Sequence, residues 1–208
     1  MRKLVMALGA AASLFVGSAA TAQDKPVASK SDVTAAQNMQ RVAHCVAEGR
    51  SAWSHDYVTM DYRTKQYRAL GEKLGNYGKT CPGFSRGLVS SGLVFAGAVA
   101  EGLLIDKGLV DDLAAATAYD PDMPPMQAYS GEDVFAYCVI RKDAAGVAAL
   151  LKTQIVSDDE MTALKALVPV LPTCVPEGET PKFTREALRA LFALAAYRLH
   201  AHNVAHAG

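Results

Sequence analysis

Four cysteines, Cys45, Cys81, Cys138 and Cys174, fall into two pairs whose members stand 36 residues apart. Such a pattern confines the chain to folds that bring distant segments within bonding range, or else to thiol chemistry. The Cys-x-x-Cys spacing of a zinc or redox site is absent. His44 beside Cys45 does not make a nucleophile and base, because neighbours on a helix point about 100° apart. An even cysteine count in an exported chain reads as disulfides, and four cysteines allow three connectivities.

Internal similarity chooses among them. Laid over each other without a gap, the two segments place Cys45-Val46 on Cys138-Val139, Leu74 on Leu167, and Thr80-Cys81 on Thr173-Cys174. Phe84-Ser85-Arg86 then corresponds to Phe183-Thr184-Arg185, with a connection six residues longer in the second copy. If both halves descend from one unit, each inherits its own clasp, Cys45–Cys81 and Cys138–Cys174.

The N-terminus has the grammar of a secretory leader. Arg2 and Lys3 precede the apolar stretch Leu4 to Val16, and Ala20-Thr21-Ala22 supplies the small-x-small cleavage pattern. About 13 apolar residues fall short of the roughly 20 needed to span a bilayer. Cleavage after Ala22 would put the mature chain in the periplasm. The whole chain has 21 Lys+Arg against 21 Asp+Glu, and losing the leader tips the balance slightly to the acidic side. That argues against nucleic acid, which needs a basic field, and no polybasic stretch suits an anionic membrane.

Apolar residues make up 50% of the chain and aromatics only 7%, a balance that favours helices over a sandwich. The predicted fold is all-α, with six or seven helices in two pseudo-repeated, disulfide-clasped units. The leader is 1–22, a disordered mature N-terminus 23–30, the first unit 31–118, a proline-rich connector 119–129, the second unit 130–199, and a histidine-bearing tail 200–208. Ser31 or Asp32 opens a first helix that ends near Gly49, and Ser130 or Asp133 opens its counterpart. Trp53, Tyr57, Met60, Tyr67 and Leu74 recur at helical spacing, which predicts one face of a long second helix packed on the core. Its counterpart splits, restarting at Ser157-Asp158-Asp159-Glu160 with a capping-box pattern. Ser85 and Thr184 are the expected caps of the third helices, with Phe84 and Phe183 stapling onto Val89 and Leu188. Both third helices are strongly apolar yet carry Glu101, Asp106, Arg189 and Arg198, so they read as buried central helices. Glycines at 87, 92, 97 and 102 would let neighbours approach closely.

Few residues suggest chemistry. His200, His202 and His206 form a candidate metal site, because neutral imidazole is a common ligand and His202 and His206 share a helix face. Tyr62, Arg63 and Arg68 fall off the core stripe and are the candidate contact surface. His55-Asp56 with Asp61 does not converge as an acid–base pair. Phosphate loops, Gly-x-Ser-x-Gly elbows and His-Glu-x-x-His helices are missing.

The layout resembles the exported helical proteins common in alphaproteobacterial sequence sets. Cys81-Pro82-Gly83-Phe84-Ser85-Arg86-Gly87 and Cys174-Val175-Pro176-Glu177-Gly178 are similar to short pieces of the Tai-type immunity proteins. Those are small periplasmic helical proteins that neutralise secreted toxins, so the resemblance implies toxin binding. The expected role is a non-catalytic periplasmic interaction or binding module without a cofactor, its partner another periplasmic protein. Metal handling by the terminal histidines is the alternative.

Overall fold

The computed structural model describes residues 30–85, 91–176, 178 and 181–207. The leader, its cleavage site and most of the polar segment after it lie outside these residues, as does Val89 of the expected staple. Among the described residues there is no strand. The helices are α1 (Lys30–Gly49), α2 (Ser51–Thr59), α3 (Lys65–Gly78), α4 (Gly92–Asp106), α5 (Leu113–Ala116), α6 (Gly131–Leu151), α7 (Asp158–Leu167) and α8 (Arg185–His206), with a 3₁₀ turn at Leu171–Cys174. None of them is long and apolar enough to cross a membrane.

Both disulfides join the cysteines that the paired spacing singles out. Cys45 bonds Cys81 with Cα atoms 6.0 Å apart, and Cys138 bonds Cys174 at 5.6 Å. Each ties the first helix of a half, α1 or α6, to the segment leading into the apolar helix, α4 or α8. Closing a loop of 36 residues restricts the unfolded chain by about 4 kcal/mol in the chain-entropy view.

The long second helix expected from the aromatic stripe is two helices. The chain leaves α2 at Met60, where Asp61 accepts the backbone N–H of Arg63 at 2.9 Å, and Thr64 restarts it by accepting from Tyr67 N–H at 3.1 Å. The break reorients the stripe. Tyr57 is buried and stacks on Tyr67 with ring centroids 4.4 Å apart, whereas Trp53 is 43% exposed. Trp53 does not pack in the core. It lies on the surface between the cations of Arg50 and Lys73, at 5.6 and 5.9 Å from its ring.

Three further boundaries differ from expectation. The first helix already includes Lys30, ahead of the Ser31 and Asp32 expected to open it. Helix α4 is capped by Ser91, whose hydroxyl accepts from Val94 N–H, and not by Ser85. Helix α8 runs on to His206, so most of the expected tail continues it. No helix runs between Ala116 and Gly131.

The corrected cap removes the six-residue offset. Ser91 and Thr184, the caps of α4 and α8, are separated by the same length of chain as Cys45 and Cys138. So are the caps Thr64 and Ser157. So are Arg50, where α1 gives way to α2 (φ −139°), and Asp143, where α6 kinks (φ −150°). At the kink Asp143 Oδ1 accepts Gly146 N–H at 2.7 Å and recaps the helix.

Helices α4 and α8 cross at the centre, with α1 laid against α4 and α6 against α8. Their low volume at the crossing decides how close they come. A Cβ on Gly97 would lie 2.3 Å from Ala190 Cα, well inside any tolerable contact. Gly97 and Ala190 are themselves one of the equally spaced pairs. Gly97→Val should therefore cost about 1–3 kcal/mol through overpacking, lowering the melting temperature by about 2–12 °C. Gly92→Ala, which meets open space, should leave thermal denaturation nearly unchanged.

Candidate functional site

Two arginines on α8 organise the interior. Arg189 is 3% exposed and spends its guanidinium on both halves of a buried acid cluster. Its Nε and Nη2 donate to Glu101 Oε2 and Oε1 at 2.9 and 2.6 Å, and its Nη1 donates to Glu160 Oε1 at 3.1 Å. The same group donates to the carbonyl oxygens of Leu150, Leu151 and Thr153 at 3.0, 3.1 and 3.0 Å. Those are terminal carbonyls that α6 cannot satisfy internally. Burial opposes the charge of Arg189, but the bonds to Glu101 and the fields of Glu101 and Glu160 hold its pKa above the usual arginine value.

Arg198 does the same for α2. It donates to the carbonyls of Val58 at 2.6 Å and Met60 at 3.4 Å, and its Nη1 meets Asp133 Oδ1 at 3.0 Å. Val58 and Leu151, like Met60 and Thr153, are equally spaced pairs, so two guanidinium groups cap corresponding helix ends. Glu160 is likewise fully engaged. It accepts from Arg189, from Arg185 Nε at 3.1 Å and from Val156 N–H at 2.9 Å. Val156 holds a left-handed φ of 61°, unfavourable for a β-branched residue, and the bond from its N–H to Glu160 holds the turn.

A cleft opens beside each clamp. The first, about 540 Å³, is lined by Gln37, Gln40, Arg41 and His44 of α1, Glu101 and Ile105 of α4, Leu151 to Ile155 after α6, and Arg189. The second, about 390 Å³, is lined by Tyr62, Tyr67, Gly92, Leu93, Ala96, Ser130, Glu132, Asp133, Phe183, Leu191, Leu194 and Arg198. Half of each wall corresponds to the other under the same spacing. The pairs are Gln37 with Ser130, Gln40 with Asp133, Glu101 with Leu194, Ile105 with Arg198, Ile155 with Tyr62, and Arg189 with Ala96. The first cleft is polar and the second apolar and aromatic. Each takes residues from both halves of the chain.

His44 sits in the wall of the polar cleft. The Gln40 amide donates to its Nε2 at 2.9 Å, which leaves the ring proton on Nδ1. Burial lowers its pKa, Glu101 pulls the other way, and Arg189 adds to the lowering. Neutral His44 is thus the folded form near neutral pH. Thr153, the hydroxyl nearest Arg189, accepts from that guanidinium at 3.1 Å and donates to Leu150 O at 2.7 Å. Among the described residues no cysteine is free.

The structure separates the predicted histidine trio. His202 and His206 lie side by side with ring centroids 4.3 Å apart. His200 turns instead toward Tyr197, its ring 6.3 Å away. His55 takes its place, lining a cavity of about 270 Å³ with His202, His206 and Met126. His202 Nε2 donates to Pro124 O at 2.9 Å, His206 Nδ1 to His202 O at 2.8 Å, and His55 Nδ1 lies 3.0 Å from Tyr197 Oη. Among the described residues no group of three or more His, Cys, Asp or Glu is close enough to hold a metal ion. Of the predicted contact surface, Tyr62 is 42% exposed and lines the apolar cleft. Arg63 is exposed and pairs with Asp61 at 2.8 Å, and Arg68 is exposed outside both clefts.

Sequence reasoning noted Glu101, Arg189 and Arg198 as charges in apolar helices without joining them into sites. That charge inside an apolar run was the available signal. The role of His44 left no trace, because its meaning depends on α4 and α8 arriving beside α1. No protein family, curated protein or solved structure matches the chain.

Arg189→Met should cost about 3–5 kcal/mol, because it strands Glu101 and Glu160 in the interior; further Glu101→Met and Glu160→Met changes should recover part of the loss in urea denaturation. The depressed folded pKa of His44 means that its contribution to stability is present above 6.5 and lost as pH falls through the folded value. Between pH 6.5 and 5 the wild type should therefore lose stability faster than His44→Gln.

Proposed function

We propose that the chain is an exported, non-catalytic binding module built from two copies of one helical unit, which holds its ligand or a partner protein at the clefts between the units. The leader and the two disulfides support export. Equally spaced caps, kinks and disulfides support the two-copy reading. So does the contact of Gly97 with Ala190, because equivalent residues meet each other on a two-fold axis.

The observation that carries the binding reading is the correspondence of the clefts. Two openings in equivalent places, each shared between the halves, are what a duplicated binding unit would retain while their linings diverged. Chemistry is poorly supported by the same surroundings. Glu101, Glu160 and Asp133 are taken up by guanidinium groups, His44 by Gln40, and the cysteines by disulfides. A general base needs a substrate proton or a nucleophile within hydrogen-bond reach, and these groups are already committed.

The test uses the full oxidised chain, immobilised and exposed to periplasmic extract, with retained small molecules and peptides identified by mass spectrometry. Retention should fall at least tenfold in Gln154→Trp, which narrows the polar cleft, or in Tyr62→Ala, which opens the apolar one. Glu72→Ala, on an exposed face of α3, should bind as the wild type does. Retention indifferent to both cleft variants, or conversion of the retained species to product, would overturn the reading.

A further inference from the structure

The polar cleft has a charge arrangement that its counterpart lacks. Three cations line it, Arg41, Lys152 and Arg189, against one carboxylate, Glu101. Glu101 gives both oxygens to Arg189 and is 2% exposed, so its charge is neutralised at the floor. Arg189 has its own donors committed to acids and carbonyls. That leaves Arg41 on the α1 wall and Lys152 at the end of α6 as the cations facing the opening. Among the described residues, the side chain of Arg41 bonds neutral Asn38 and no carboxylate. Lys152 meets Asp111 at 2.9 Å, but both partners are solvent-exposed, and such a pair holds its cation weakly. The amides of Gln37, Gln40 and Gln154 and the imidazole of His44, whose Nε2 is taken up by Gln40, line the same cleft.

We propose that this cleft binds a small organic oxyanion of di- or tricarboxylate size, with Arg41 and Lys152 clasping its ends and the His44 Nδ1–H donating between them. This rests on the binding reading above and names the ligand class of one of its clefts. A volume of about 540 Å³ falls in the small-molecule range of roughly 300–1,000 Å³ and exceeds what one inorganic ion fills. The corresponding cleft suits such a ligand less well: Leu93, Leu191 and Leu194 line it, its cation Arg198 is paired with Asp133 at 3.0 Å, and Glu132 adds a carboxylate to the wall. An anion therefore selects one cleft of the two.

Isothermal titration of the full oxidised chain with citrate, and separately with inorganic phosphate, tests the assignment. Citrate should bind one to one, more weakly as salt rises, and at least tenfold more tightly than phosphate. The double variant Arg41→Gln/Lys152→Gln, checked for an unchanged circular dichroism spectrum, should bind citrate at least tenfold more weakly. Tyr62→Ala, in the other cleft, should bind citrate as the wild type does. Absence of citrate binding, citrate binding that survives the double variant, or phosphate bound as tightly as citrate would each overturn the proposal. Retention from extract that remains sensitive to Gln154→Trp in that event would leave the binding module standing without its oxyanion.

Discussion

Arg189 and Arg198 meet a demand that the fold creates when it ends two helices inside itself. Terminal carbonyls buried without donors are costly, and α2 and α6 both finish against the body of the protein. A lysine would offer a point charge, whereas the planar guanidinium can reach several carbonyls and a carboxylate at once. The arginines are nine residues apart on α8, so they project to opposite faces about 13 Å apart along the axis. One helix thereby clamps both halves. Each clamp brings its own acid, Asp133 for Arg198, and Glu101 with Glu160 for Arg189, because an unpaired buried guanidinium would be as unfavourable as the carbonyls it satisfies.

The clefts follow from the clamps. Ending α2 and α6 early leaves space between the first helix of one half and the chain that follows the second helix of the other. The residues that fill the rim then determine chemistry. Around Arg189 they are amides, an imidazole and two outward cations. Around Arg198 they are tyrosines, leucines and a phenylalanine. Two openings with one architecture thus differ in what they can hold, and the difference resides in side chains that the fold tolerates either way.

The disulfides and the α4–α8 crossing hold this arrangement at different ranges. Cys45–Cys81 and Cys138–Cys174 act within a half, keeping the first helix beside the approach to the apolar helix. The crossing acts between halves. Its closeness depends on Gly97 and Ala190, since a larger side chain at either position would push the central helices apart. Separation there would also move Glu101 on α4 away from Arg189 on α8, so the packing of small residues and the buried ion pair depend on each other.

Local pattern was enough to reveal the helical class, the two disulfides and the caps at Ser157 and Thr184, and to narrow the start of α6 to Ser130 or Asp133, because caps and cysteine spacing depend on neighbours in the chain. It was not enough to break the Trp53–Leu74 stripe. The turn at Asp61 keeps the apolar spacing nearly in phase, and only the packing of α2 and α3 turns Trp53 out to solvent. Ser85 read as the cap because it is a serine before an apolar run, whereas α4 is capped one turn and more later, at Ser91. Glu101, Arg189 and Arg198 stood out as charges in apolar helices, but their partners lie on other helices, far away in the chain. His44 and the clefts were beyond sequence altogether. Their character comes from convergence of α1, α4, α6 and α8, and local periodicity carries no information about which faces of separate helices will meet.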